Sequence, residues 1–199
     1  MKTKVLILFT CLSVSWSVFS QSTAMDRLAA YYKETALNLQ KNIENLAEVQ
    51  LQFKPSEESW SISQCVEHII ATEVMIFDMI KGYMEQPENT ALRSEIKFSD
   101  KDIIDMMVDR SQKFQAPEVL QKEGIYTNAK EALKDFDTQR SIIMHFLASV
   151  DEEGLRNRVN SSPAGMVDVY QNLLFLAAHT TRHTLQIEEI KNHPDFPKS

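Results

Sequence analysis

The side chains of this sequence best suited to chemistry are its five histidines, His68, His145, His179, His183 and His193. His179 and His183 stand four positions apart, which on a helix puts both imidazoles on one face, a turn apart, where they can chelate one ion. The stripe they share, Leu176, His179, His183, Ile187 and Ile190, is otherwise that of a core-facing helix. His68 falls on a similar inward stripe with Cys65, Thr72, Met75 and Met79. Where two such faces meet inside a bundle, three imidazoles supply three ligands of an open tetrahedral or octahedral site. The same spacing also fits hydrogen-bonded core histidines, so the pattern alone leaves both readings open. His145 falls off its helical stripe and His193 sits beside Pro194 at a helix end, so both read as surface residues. A His-Glu-x-x-His protease motif is excluded, because Thr180 stands where its Glu would be.

Other conspicuous side chains read as structure. Trp60, just before a helix start, is expected to pack back as a staple rather than to wall a substrate site. Cys65 reads as a packed thiol, and Met75, Met79, Met84, Met106 and Met107 as adaptable core filler. The acidic runs at 57–58, 151–153 and 188–189 read as solvated.

The elements that must position the histidines are helices. Leu28, Tyr32, Thr35, Leu39, Ile43 and Leu46 recur at spacings of three and four and predict a first helix from Asp26 to Val49, ended by Phe53 and Pro55. Ser61 and Gln64 form a capping box that opens a second helix to about Glu85. After a polar loop over 87–99, Ser99 caps a shorter helix from Asp100 to Phe114, with Phe114 inward. Asn128 and Glu131 form another capping box, opening a third long helix to about Val150 through Phe136, Arg140 and Ile143. Residues 151–163 lack periodicity and read as a loop, and a fourth long helix is expected from about Gly165 to Asn192. The expectation is an all-α four-helix bundle with a shorter helix inserted between the second and third long ones.

Composition agrees. Only 4 glycines and 6 prolines in 199 residues leave too few turn-makers for a β-sandwich, barrel or propeller, and the length suits one domain. Lys2 and Lys4 precede a 15-residue apolar run, Val5 to Phe19, too short to span a bilayer, with Val18 and Ser20 at the −3 and −1 positions of a cleavage site. Residues 1–20 are therefore expected to be a secretory signal peptide, leaving a domain over 21–199 that is exported to periplasm or medium, without stable membrane insertion. Loss of Lys2 and Lys4 takes the formal charge from −7 to −9. Its scattered cations lack the clustered basic footprint of a nucleic-acid binder. Cys65 alone remains after cleavage, so no intramolecular disulfide staples the core.

Two blocks of sequence resemble a known family. The run Trp60-Ser61-Ile62-Ser63-Gln64-Cys65-Val66-Glu67-His68 is similar to the Trp-Ser-x-x-x-x-x-x-His signature of the DinB-like (DinB/YfiT) superfamily, and His179 to Ile187 matches its closing His-x-x-x-His-x-x-Gln-Ile pattern. The resemblance implies a four-helix bundle in which His68, His179 and His183 hold a divalent metal, often zinc or nickel. It also implies frequent homodimers and, in some relatives, thiol-dependent transfer or isomerisation of small molecules. An exported chain departs from the cytosolic members, which sets such thiol chemistry apart. Two function classes follow: a metal-dependent transferase or hydrolase acting on a small-molecule substrate, and a non-catalytic exported bundle with a structural metal or a ligand cavity.

Overall fold

The computed structural model describes residues 23–112 and 114–198. The expected leader lies outside them. Seven α-helices, two short 3-10 turns and one small hairpin make up the described chain. Thr23 and Asp26 close a capping box on α1 (Ala24–Ile43), which ends six residues short of the expected Val49. The chain turns at Ile43, whose carbonyl takes the Leu46 amide, and a four-residue α2 (Glu48–Leu51) follows. Gln50 decides this break. Its side chain accepts from the Ala47 amide and donates to the Pro197 carbonyl, tying the turn to the far end of the chain.

The Ser61 and Gln64 box opens α3 (Ile62–Met84) as expected. The 87–99 segment contains a 3-10 turn, Thr90–Glu95, and Ser99 caps α4 (Asp100–Val108). α4 stops well before Phe114 because its exit is held by a tertiary partner: Arg182 donates to the carbonyls of Met107, Asp109 and Gln112. Phe114, expected inward, is 75% exposed. α5 (Ala129–Leu147) is capped by Asn128, which accepts from Lys130 and not through the expected box with Glu131. The segment expected as loop holds a short α6 (Glu152–Arg156) and the first strand of an antiparallel hairpin, β1 (Val159–Ser162), whose second strand, β2 (Gly165–Asp168), takes the place of the expected start of the last helix. Gly165, at φ +121°, permits the tight reversal. The last helix, α7 (Val169–Lys191), therefore begins after the hairpin and not at Gly165, capped by Asp168 and Gln171.

The four long helices, α1, α3, α5 and α7, form the bundle, with α4 packed against α7 outside it. Cross-links give the directions. Tyr170 bonds Ala24, Tyr32 bonds Leu173 and Asn42 bonds Glu188, so α1 and α7 run parallel. Phe77 packs on Phe146 and Glu73 pairs with Arg140, so α3 and α5 also run parallel. α1 packs on α5 and α7, and α3 on the same two, which places α1 diagonally across the bundle from α3, and α5 from α7. A parallel pair cannot be joined by a tight turn. The 44-residue connection from 85 to 128 is the return journey, and it passes α7 before reaching the start of α3.

Two apolar clusters fill the bundle, one around Leu28, Phe77, Ile80, Ile143 and Leu173, the other around Leu39, Ile43, Ile69, Phe136 and Ile187. Between them lies a buried polar layer contributed by all four long helices. The Arg140 guanidinium donates twice to Glu73 Oε1 and once to Oε2, and also to the Tyr32 carbonyl, Thr35 Oγ1 and Thr180 Oγ1. It rests over the Tyr32 and Phe136 rings at 4.7 and 4.9 Å. Sequence periodicity places Arg140 inward, but its partner Glu73 carries no sequence signal of its own.

Candidate metal centre

α3 and α7 cross so that the stripes bearing the histidines face one another. His68, one turn past Gln64, and His179 and His183, in the middle of α7, are all buried. Their ring nitrogens converge: His179 Nε2 lies 3.2 Å from His68 Nε2 and 3.1 Å from His183 Nε2. Among the described residues this is the cluster of His, Cys, Asp or Glu side chains whose ligand atoms come close enough to share an ion. Two nitrogens 3.1–3.2 Å apart subtend roughly 100° at an ion about 2.05 Å from each, an angle common to tetrahedral and facial octahedral sites.

Hydrogen bonds on the far side of the rings decide which nitrogen carries the proton. His68 Nδ1 lies 2.8 Å from the Leu120 carbonyl, an acceptor only, so Nδ1 carries the hydrogen and Nε2 presents its lone pair. His183 Nδ1 donates likewise to Gln186 Oε1 at 2.8 Å. Two lone pairs thus aim at the third ring. One N–H on His179 Nε2 cannot be directed well at both, and His179 Nδ1 is buried without a partner. A cation in the middle satisfies all three Nε2 atoms at once, so these residues fit a metal ion. Charge points the same way. Burial first, then the neighbouring rings and Arg182, push His179 well below the ordinary imidazole range, and burial with His68 brings His183 to about 3. Burial also lowers His68. All three are neutral at pH 7, the state that ligates a metal.

Aromatic rings complete the enclosure. Trp60 stacks on His183 with centroids 6.0 Å apart and meets the His68 ring edge-on at 4.9 Å, while Phe175 stacks on His179 at 6.1 Å. Trp60 is half-buried: it packs against the apolar cluster of Leu39, Ile43 and Ile69, as expected of a staple, and it also walls the site. Cys65 is buried, as expected, and its burial pushes the thiol up to about 12. His145 is exposed, whereas His193 is half-buried against Phe53, with centroids 5.7 Å apart. Met79, expected inward beside His68, is 48% exposed, because the inward face of α3 runs through Ile69, Glu73, Phe77 and Ile80. The acidic run at 188–189 is engaged: Arg110 forks onto Glu189 and Asn42 bonds Glu188.

Residues 31–187 match the DinB superfamily. The chain belongs to the DinB superfamily. It is 24% identical over 160 residues to the uncharacterized protein YuaE of Bacillus subtilis strain 168, covering 80% of this chain and 94% of YuaE. In three dimensions it is similar to YfiT of Bacillus subtilis, with a TM-score of 0.60 and 13% identity over 89% of this chain and 93% of YfiT. YfiT is described as a probable metal-dependent hydrolase with an unusual four-helix bundle topology. At that identity the likeness concerns the fold.

One of the two contacts behind the rings lies beyond the sequence reading. The Leu120 carbonyl that orients His68 comes from 52 residues away, and a backbone atom leaves no trace in residue type. Gln186 is legible as an i+3 neighbour of His183 with an amide able to reach its ring.

Proposed function

We propose that this chain is a metal-dependent hydrolase of small molecules in which His68, His179 and His183 hold one divalent ion, zinc or nickel, and that it works outside the cytoplasm after removal of residues 1–20. One observation carries the reading: two imidazole lone pairs, each set by a hydrogen bond behind its ring, face a third Nε2 at 3.1–3.2 Å inside the bundle. The description of YfiT as a probable metal-dependent hydrolase supports the reaction class. His68, His179 and His183 would hold the ion, which would supply a Lewis acid able to polarise water or substrate. The chain's own residues do the rest: Leu120 and Gln186 orient two of the rings, and Trp60 and Phe175 keep bulk water from them. The leader reading rests on the basic start, the short apolar run and the small residue at position 20.

The deciding experiment is elemental analysis of the mature protein with a parallel hydrolase screen. One equivalent of zinc or nickel, lost in His183→Ala, with metal-dependent turnover of an ester, amide or phosphoester panel, is the expected result. A full equivalent of metal with no turnover would favour the non-catalytic bundle instead, and no metal at all would leave the histidines as core residues.

A further inference from the structure

The segment Leu120–Tyr126 of the α4–α5 connection lies along the first two turns of α3, held by side chains of that helix and its approach. Gln64 Nε2 donates to the Lys122 carbonyl at 2.7 Å, and Glu67 Oε2 accepts from the amides of Gly124 and Ile125 at 3.0 and 3.2 Å. Ser63 Oγ accepts from the Tyr126 amide, and Gln52 Nε2 donates to the carbonyls of Gly124 and Tyr126, all at 2.8 Å. Gly124 is required by the path: its φ is +85°, and a Cβ there would stand 3.0 Å from Gln64 Cγ and 3.2 Å from Ser61 Oγ. The side chains of Leu120 and Tyr126 are buried at the two ends. At the Leu120 end the strap touches the metal centre, through the carbonyl that accepts from His68 Nδ1.

We propose that this strap is a positioning element for the metal: its attachment to α3 and occupancy by the ion favour each other through the His68–Leu120 hydrogen bond. The proposal rests on His68 being a ligand. A ligated imidazole gives up electron density and becomes a better Nδ1–H donor to Leu120. In return, an attached strap holds His68 in the tautomer whose Nε2 lone pair faces the ion, whereas a detached strap frees the ring for the Nε2–H tautomer, which cannot ligate. Such coupling is reciprocal by thermodynamic necessity. Gln52, whose side-chain amide bonds two strap carbonyls, becomes a positioning residue at a distance.

The test measures amide exchange of the full mature chain with and without zinc, together with zinc affinity by calorimetry. Zinc should slow exchange at Gly124, Ile125 and Tyr126 about fivefold more than at amides of α5, the low end of ordinary coupling. Gln52→Ala and Gly124→Ala should each bind zinc about fivefold more weakly while remaining folded. Zinc binding that slows all amides by one common factor, or variants that bind with wild-type affinity, would overturn the coupling and leave the ligand reading standing. Should a variant not fold, the exchange comparison on the unmodified chain decides. Unmodified chain that takes up neither zinc nor nickel would remove the ligand reading and the coupling with it.

Discussion

Two of the three central histidines, His68 and His183, hold their Nδ1 proton by a hydrogen bond to a neighbour, and that makes single substitutions informative. His183→Ala should abolish stoichiometric metal, and with it a stabilisation of about 2.7 kcal/mol at free ion a hundredfold above Kd, read as the loss of a metal-dependent rise in melting temperature. His193→Ala, against Phe53 at the chain's end, should leave that rise intact. The metal-free protein should also be sensitive to acid. The folded-state values of His68, His179 and His183 all lie below the unfolded one, so the unfolded chain binds protons first. Stability is therefore full above about pH 6.5 and falls as pH drops below it, by up to ~1.4 kcal/mol per pH unit for each proton, until the folded rings titrate. For His183 that point is about 3. Urea titrations between pH 7 and pH 4 measure it, and a flat profile would contradict the buried neutral state. Cys65, with its thiol pushed up to about 12, should resist alkylation in the native protein and react promptly in denaturant.

Among the elements, the polar layer between the two apolar clusters is what sets the long helices in register. Glu73 is fully buried and Arg140 is 5% exposed, so removing one partner strands a charge in the core. Glu73→Ala should cost about 3–5 kcal/mol of unfolding free energy, whereas Glu73→Leu combined with Arg140→Met should cost far less or nothing. Denaturant midpoints of the two variants test this, and equal losses would mean that packing, not the stranded charge, dominates. Thr180 links this layer to the metal centre, since its hydroxyl donates to Glu73 and accepts from Arg140 while its neighbour His179 faces the other histidines. The early stops of α1 and α4 belong to the same scale. Gln50 reaching Pro197, and Arg182 reaching the α4 exit, are contacts across the fold that override a helical pattern continuing past them.

At the scale of the whole molecule, the diagonal order of the long helices puts α3 beside α7, the pair that carries all three histidines. A bound ion would tie these two antiparallel neighbours together, and the long connection demanded by the parallel α3–α5 pair supplies the strap across His68. Mass spectrometry of exported protein should find a chain beginning at Gln21, and retention of residues 1–20 in a membrane fraction would overturn the cleavage. In a chain that begins at Gln21, Cys65 is the single thiol, and reducing agent should leave its melting temperature unchanged.

Capping residues, helical stripes and the two histidine blocks are local properties of the chain, so the all-α class, the start of α3 and the three inward imidazoles were legible from residue order. Ser61 and Gln64 satisfy each other within one turn, and His179 and His183 share a face by virtue of a 3.6-residue repeat. What was not legible depends on partners far away in the chain. The hairpin at 159–168 shows too little periodicity to reveal itself, and Glu73 looks like any helix-surface acid until Arg140 arrives from α5. Phe114 fits an apolar stripe that its helix never reaches, because Arg182 ends α4 first. The order of the long helices is decided by tertiary packing, since each apolar face is compatible with several neighbours and only the complete set of side chains selects one. The tautomer of His68 follows from that choice, as the carbonyl that sets it comes from the connection the topology requires.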